Sequence, residues 1–112
     1  MIDANLMKGS TALLVMQLLK QEDMYGYQMI EELRAKSKNV FELKAGTLYP
    51  LLHNMEQNEI VETYETEVGG RIRKYYHLTA KGIKSLQEKK EEWSQYTSSM
   101  SDVLGGLSFA EI

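Results

Sequence analysis

Two adjacent glycines, Gly69-Gly70, separate two runs that read as β-strands, and this limits the folds open to the chain. Residues 60–68 are rich in Val, Thr and Tyr, and Arg71-Ile72-Arg73-Lys74-Tyr75-Tyr76-His77-Leu78 follows the glycines. Glycine takes positive φ without a Cβ penalty, as a tight two-residue hairpin tip requires. The spacing predicts a hairpin over residues 60–78 whose return arm starts positively charged. From Val68 to Gln87 there are five Lys or Arg residues and no acid. A protruding basic hairpin behind a short helix is suited to holding nucleic-acid phosphates.

The rest of the chain reads as helices. Residues 10–20 carry Leu13, Leu14, Met16, Leu18 and Leu19, dense enough for a mostly buried first helix with Ser10 as N-cap. Residues 25–36 form a second helix, with Met29, Ile30 and Leu33 inward and Asp23 placed to cap it. In a third, residues 44–58, Leu48, Leu51, Leu52 and Met55 follow the helical period. Pro50 leaves its start open. A start near Lys44 puts the proline inside and crowds the Gly46 carbonyl, whereas a Thr47 N-cap puts it harmlessly in the first turn. Thr79 is expected to cap a last helix over residues 80–104. Ile83, Leu86, Trp93, Met100, Leu104 and Leu107 lie there on a spacing alternating three and four, a coiled-coil seam interrupted by Lys90 and Thr97. Gly105-Gly106 is a natural stop. The expected fold is α+β, mostly α: a winged helix-turn-helix head over residues 1–79 and a C-terminal dimerisation helix and tail over residues 80–112.

Composition excludes several classes. With 112 residues, 43% hydrophobic and 26% charged, the chain fits one ordinary globular unit. It has no cysteine, which rules out a disulfide scaffold, thiolate catalysis and a cysteine zinc site. Met1-Ile2-Asp3-Ala4-Asn5 lacks a basic leader region, and the apolar run from residue 12 to 19 is too short to span a bilayer. A cytoplasmic protein without membrane association is therefore expected. The net charge of −3 argues mildly against nucleic acid, but its distribution outweighs its sum, because the acids cluster on either side of the basic segment.

The candidate DNA contacts follow from the predicted faces. Removing the buried stripe of the third helix leaves Lys44, Thr47, Tyr49, Pro50, His53 and Asn54 outward, a set suited to base edges and phosphates; the plainer alternative is a solvated helix face. Gly70, Arg71, Arg73 and Lys74 form the wing set, with solubility as the alternative. Tyr25 and Tyr27 flank Gly26 where the second helix opens, and they either face the DNA backbone or pack in the core. Trp93 is the sole tryptophan and reads as a dimer-core residue, or as one wall of an aromatic pocket between protomers. His53 and His77 have no acid or second histidine at ligand spacing. No nucleophile elbow, phosphate loop or carboxylate pair is present. No metal, cofactor or enzymatic activity is expected. The rival from another class is a winged-helix module for protein interaction, without an operator.

Met24-Tyr25-Gly26-Tyr27, Gly46-Thr47-Leu48-Tyr49-Pro50-Leu51-Leu52 and the segment from Arg73 through His77-Leu78-Thr79-Ala80-Lys81-Gly82 together resemble the PadR family of bacterial transcriptional regulators. The resemblance covers most of the chain and is similar to the compact, multidrug-responsive subgroup. It implies a homodimer that binds a pseudo-palindromic double-stranded operator and represses a nearby transporter or detoxification gene, relieved by a planar aromatic effector. Glu92-Trp93-Ser94 resembles the site where a tryptophan from each protomer stacks such a ligand. The implied ligand set is Trp93, Leu13, Met16 and Thr97. The implied dimer interface is Ile83, Leu86, Trp93, Met100 and Leu104. Gly70-Arg71-Ile72 departs from the small residues or proline common before Arg73, and Lys90 and Thr97 make the pocket around Trp93 more polar.

Overall fold

The computed structural model describes residues 9–106. Helix α1 (Thr11–Gln21) leads into a two-residue strand β1 (Met24–Tyr25), then α2 (Gly26–Lys36) and α3 (Ala45–Gln57). A hairpin of β2 (Val61–Val68) and β3 (Arg71–Leu78) precedes the 24-residue α4 (Ala80–Val103), about 36 Å long. The sheet is antiparallel in the order β1-β3-β2. The result is a mostly helical α+β winged helix with a long last helix.

The hairpin register pairs Val61 with Leu78 and runs without a break to Val68 opposite Arg71. Only Gly69 and Gly70 remain for the turn, and both have positive φ, +59° and +80°, as the primed two-residue turns require. Because strand side chains alternate, one face of the sheet carries Met24, Val61, Tyr76 and Leu78 into the core. There they meet Val15, Met16, Leu18 and Leu19 of α1, Met29 and Leu33 of α2, and Leu48, Leu52 and Met55 of α3. The opposite face carries Tyr25, Tyr64, Tyr75, Arg73 and His77. Leu86 closes the core from α4.

Two close crossings depend on glycine. A Cβ on Gly82 would run into the Ile60 carbonyl and the Leu78 side chain, so α4 leaves the sheet at a distance only glycine allows. Thr79 fixes the same corner: its hydroxyl donates to the Glu59 carbonyl at 2.7 Å and accepts from the Gly82 N–H at 3.0 Å, the N-cap expected from sequence. At the end of α3, Glu59 takes a left-handed φ of +60°, and the Ile60 N–H returns to the Met55 carbonyl at 2.9 Å. This is a Schellman turn with glutamate where glycine is usual.

The structure selects one of the two starts open to α3 and corrects other expectations. Helix α3 starts early: the Lys44 carbonyl accepts from Thr47 at 3.0 Å and from Leu48 at 2.9 Å, so Lys44, not Thr47, holds the N-cap position and Pro50 lies inside the helix. The Gly46 carbonyl goes without the bond residue 50 would have given; it lies near the helix start, on the exposed side. Asp23 does not cap α2, whose N-cap position is taken by Tyr25. The residues before α2 instead form β1, a strand too short to show a period. Leu86 and Met16 are 1% exposed and belong to the protomer's own core, whereas spacing places Leu86 on the dimer seam and the family resemblance implies Met16 for the ligand site. The first turns of α4 are thus part of the head, across the expected division at residue 79. Leu107 and the first eight residues lie outside the described residues.

Candidate nucleic-acid interface

The exposed side of α3 and the wing lie on one side of the head, joined by the N-terminus of α2. Lys44, Thr47, Tyr49, His53 and Asn54 are all exposed along α3. The Tyr49 ring reaches from α3 onto Gly26 at the first position of α2, where a Cβ would overlap the tyrosine hydroxyl and ring edge. An open cleft of about 240 Å³ lies at this junction, lined by Tyr25, Gly26 and Tyr27 from the β1–α2 corner, Tyr49 from α3, and Ile72, Arg73, Lys74 and Tyr76 from β3. It gathers five of the sequence-predicted contacts, Tyr25, Tyr27, Tyr49, Arg73 and Lys74. Lys44, Thr47 and His53 lie along α3 outside the cleft, and Gly70 and Arg71 lie at the wing tip. Ile72, exposed in the cleft, was missed because its run reads simply as a strand.

The cations of the wing are in different states. Arg71 is exposed beside the glycine tip. Arg73 lies across the Tyr25 ring, its guanidinium carbon 4.4 Å from the centroid. Its Nε is enclosed and makes no hydrogen bond, so the fork is aimed by the tyrosine while its charge stays available. The Tyr25 ring is half-buried, edge-on to Tyr75 at 5.5 Å, and lies under the arginine. Tyr27 is exposed. Lys74 points to the face of the hairpin opposite Arg73, toward α3, where its ammonium is 3.6 Å from Glu56 Oε1.

The basic segment is also less isolated in space than in sequence. The register sets Glu65 beside Lys74 and Glu67 beside Ile72, so β2 lines the wing with carboxylates. On the outer face, His77 is not isolated: its Nδ1 lies 2.8 Å from Asp23 Oδ1, its Nε2 lies 3.9 Å from Glu62, and the Tyr64 hydroxyl donates to Asp23 Oδ2 at 2.7 Å. Burial pushes the Asp23 carboxyl up, but the bonds from His77 and Tyr64, with the attraction of His77, hold it below its ordinary value. The same bond to Asp23 pushes the Tyr64 phenol up. Sequence reading missed this cluster because its partners are 41 and 54 residues apart. Among the described residues no group of acids or histidines is arranged to hold a metal ion. No helix there is long and apolar enough to cross a membrane.

A three-helix head with a basic, glycine-tipped wing beside the exposed face of its third helix is the architecture of winged helix-turn-helix DNA-binding proteins. The chain belongs to the PadR-like family of transcriptional regulators, whose family model matches residues 15–88. An uncharacterized Lysinibacillus sphaericus protein is 31% identical over 96 residues, 85% of this chain and 88% of its own. A transcriptional regulator from Clostridium thermocellum has a solved structure matching with a TM-score of 0.83 at 28% identity, over 88% of this chain and 97% of that one. A PadR family transcription regulator from Clostridium difficile matches at 0.74 and 33%, over 87% and 100%. The chain is a DNA-binding transcriptional regulator and not an enzyme.

Proposed function

We propose that the protein is a dimeric, sequence-specific repressor that reads a pseudo-palindromic operator and is released by a planar aromatic ligand. The observation that carries the DNA reading is the cleft where α3, the N-terminus of α2 and the wing converge. In a dimer, the two α3 helices would enter successive major grooves about 34 Å apart, presenting Lys44, Thr47, Tyr49 and His53. Arg71 and Arg73 would hold flanking phosphates or the minor groove, with Gly70 letting the tip approach closely.

The dimer reading rests on α4. Ile83, Trp93, Met100 and Leu104 are exposed along it, and a helix with this many bare apolar side chains is favoured to pair. The ligand reading rests on Trp93, 39% exposed and stacked on Tyr96 at 5.6 Å, with half-buried Leu13 and Thr97 as the remaining candidates. A ligand releases DNA only by binding one dimer geometry better than the other.

Selection from random duplex DNA tests the first part, and an enriched inverted repeat is expected. The acidic edge on β2 favours a second reading, a protein-interaction module without an operator. Absence of enrichment at low salt would overturn the operator reading and shift the weight to that one. Titrating planar aromatic compounds while following Trp93 fluorescence tests the ligand. An unquenched signal across a broad panel leaves Trp93 as packing.

A further inference from the structure

Glu56 stands in the last turn of α3, the helix that carries the proposed base contacts, and its carboxylate touches both strands of the wing. Oε2 accepts from the Thr63 hydroxyl on β2 at 3.2 Å, and Oε1 faces the Lys74 ammonium on β3 at 3.6 Å. Lys74 is further held over the Tyr76 ring, 5.6 Å from its centroid. It lies across the strand from Glu65. Among the described residues Arg71 and Arg73 pair with no carboxylate. The wing therefore contains one cation tied to a carboxylate and two that are not.

We propose that Glu56 is a positioning residue for DNA recognition. It draws Lys74 away from phosphates into a tie that fixes the wing against the end of the recognition helix. This inference rests on the DNA-binding reading. An ammonium shared between a carboxylate, a ring face and a neighbouring strand acid releases no counterion when DNA arrives. It therefore stays out of the count of neutralised phosphates, which sets the slope of log affinity against log salt. The two free arginines remain in that count.

The test is the salt dependence of binding to a random duplex, measured for the full-length wild type, K74Q, E56Q and the double variant. E88Q, on α4, serves as the charge-matched control. E56Q keeps the shape and the acceptor for Thr63 while removing the charge that holds Lys74, and thermal melting confirms its fold. K74Q is expected to leave the slope unchanged. E56Q is expected to steepen it by about 0.9, one phosphate, an extra loss of about 3.5-fold between 50 and 200 mM salt. The double variant should return to the wild-type slope and E88Q should match it. A K74Q slope flatter by one phosphate, or an E56Q effect that persists without Lys74, would overturn the proposal while leaving DNA binding intact. Failure of the wild type to bind any duplex at low salt would instead remove the DNA-binding reading, and this inference with it.

Discussion

The Tyr49 hydroxyl rests against Gly26, so α3 and the opening turn of α2 meet at a point where no side chain fits. The contact connects two motifs 23 residues apart in sequence, Tyr25-Gly26-Tyr27 and Leu48-Tyr49-Pro50. It explains why the glycine between two tyrosines is there. Gly26 does not have positive φ; it supplies space. The tyrosine it admits is 47% exposed and lines the cleft.

Gly26→Ala should therefore separate folding from binding. The colliding atoms are the far end of a tyrosine that can swing outward, so the stability change should stay within about 1 kcal/mol. Tyr49 would be displaced from the cleft, and operator affinity should fall roughly tenfold, about 1.4 kcal/mol. In a Tyr49→Ala background the same glycine substitution should cost almost nothing further. Fluorescence polarisation of the four proteins gives this cycle. Additive losses would show that Gly26 acts independently of Tyr49.

The parts of the fold legible in the sequence were those set by local physics. The Gly69-Gly70 tip, the Thr79 cap and the Gly105-Gly106 stop are backbone demands that single residues announce. The stripe Leu48, Leu52 and Met55 is announced by its period. The start of α3 was not legible, because Pro50 fits two starts and only the bonds to the Lys44 carbonyl decide between them. Strand β1 is two residues long and exists only through its pairing with Tyr75 and Tyr76. The roles of Asp23, Glu56 and Leu86 arise from contacts that periodicity does not encode. Leu86 sits on the heptad seam by spacing, but the close crossing at Gly82 brings it into the head.

The Asp23 cluster gives stability a pH dependence of defined sign. A carboxyl held below its ordinary value of 3.8 in the folded state contributes stability that is present above that value and is lost as pH falls through the folded one. Asp23→Asn should thus destabilise the head near neutral pH by roughly 0.5–1 kcal/mol, as suits a partly exposed cluster. The gap from wild type should close as pH drops below about 4. Urea melts from pH 7 to pH 3 follow it, and a gap that widens toward acid would reverse the assigned sign.

The corner between α3 and β2 offers two substitutions of opposite effect. Thr79→Ala removes a cap that bonds both Glu59 and Gly82, and should cost about 1 kcal/mol. Glu59→Gly relieves a side chain held at a φ of +60°, and should gain about 0.5–1 kcal/mol, since glycine adopts that conformation without a Cβ penalty. Neither residue lines the cleft, so DNA affinity should be unchanged in both. Loss of stability in Glu59→Gly would mean that the glutamate makes compensating interactions in the folded state.

Leu86 and Leu104 occupy the same predicted seam but should fail in different ways. Leu86 is 1% exposed in the head's core, whereas Leu104 is 54% exposed at the far end of α4. Leu86→Ala opens a cavity within one protomer and should cost about 2–5 kcal/mol, lowering the melting temperature. Because the defect is internal, the loss should not depend on protein concentration. Leu104→Asp and Trp93→Ala disturb only the proposed pairing surface. They should leave the far-UV spectrum of the head unchanged, shift sedimentation toward the monomer, and make DNA binding strongly concentration-dependent, since half-sites would then be bound separately. If both variants sediment as wild type, the exposed side of α4 is not where two copies meet. If Leu86→Ala alone dissociates the protein without lowering its melting temperature, the seam extends into the head after all.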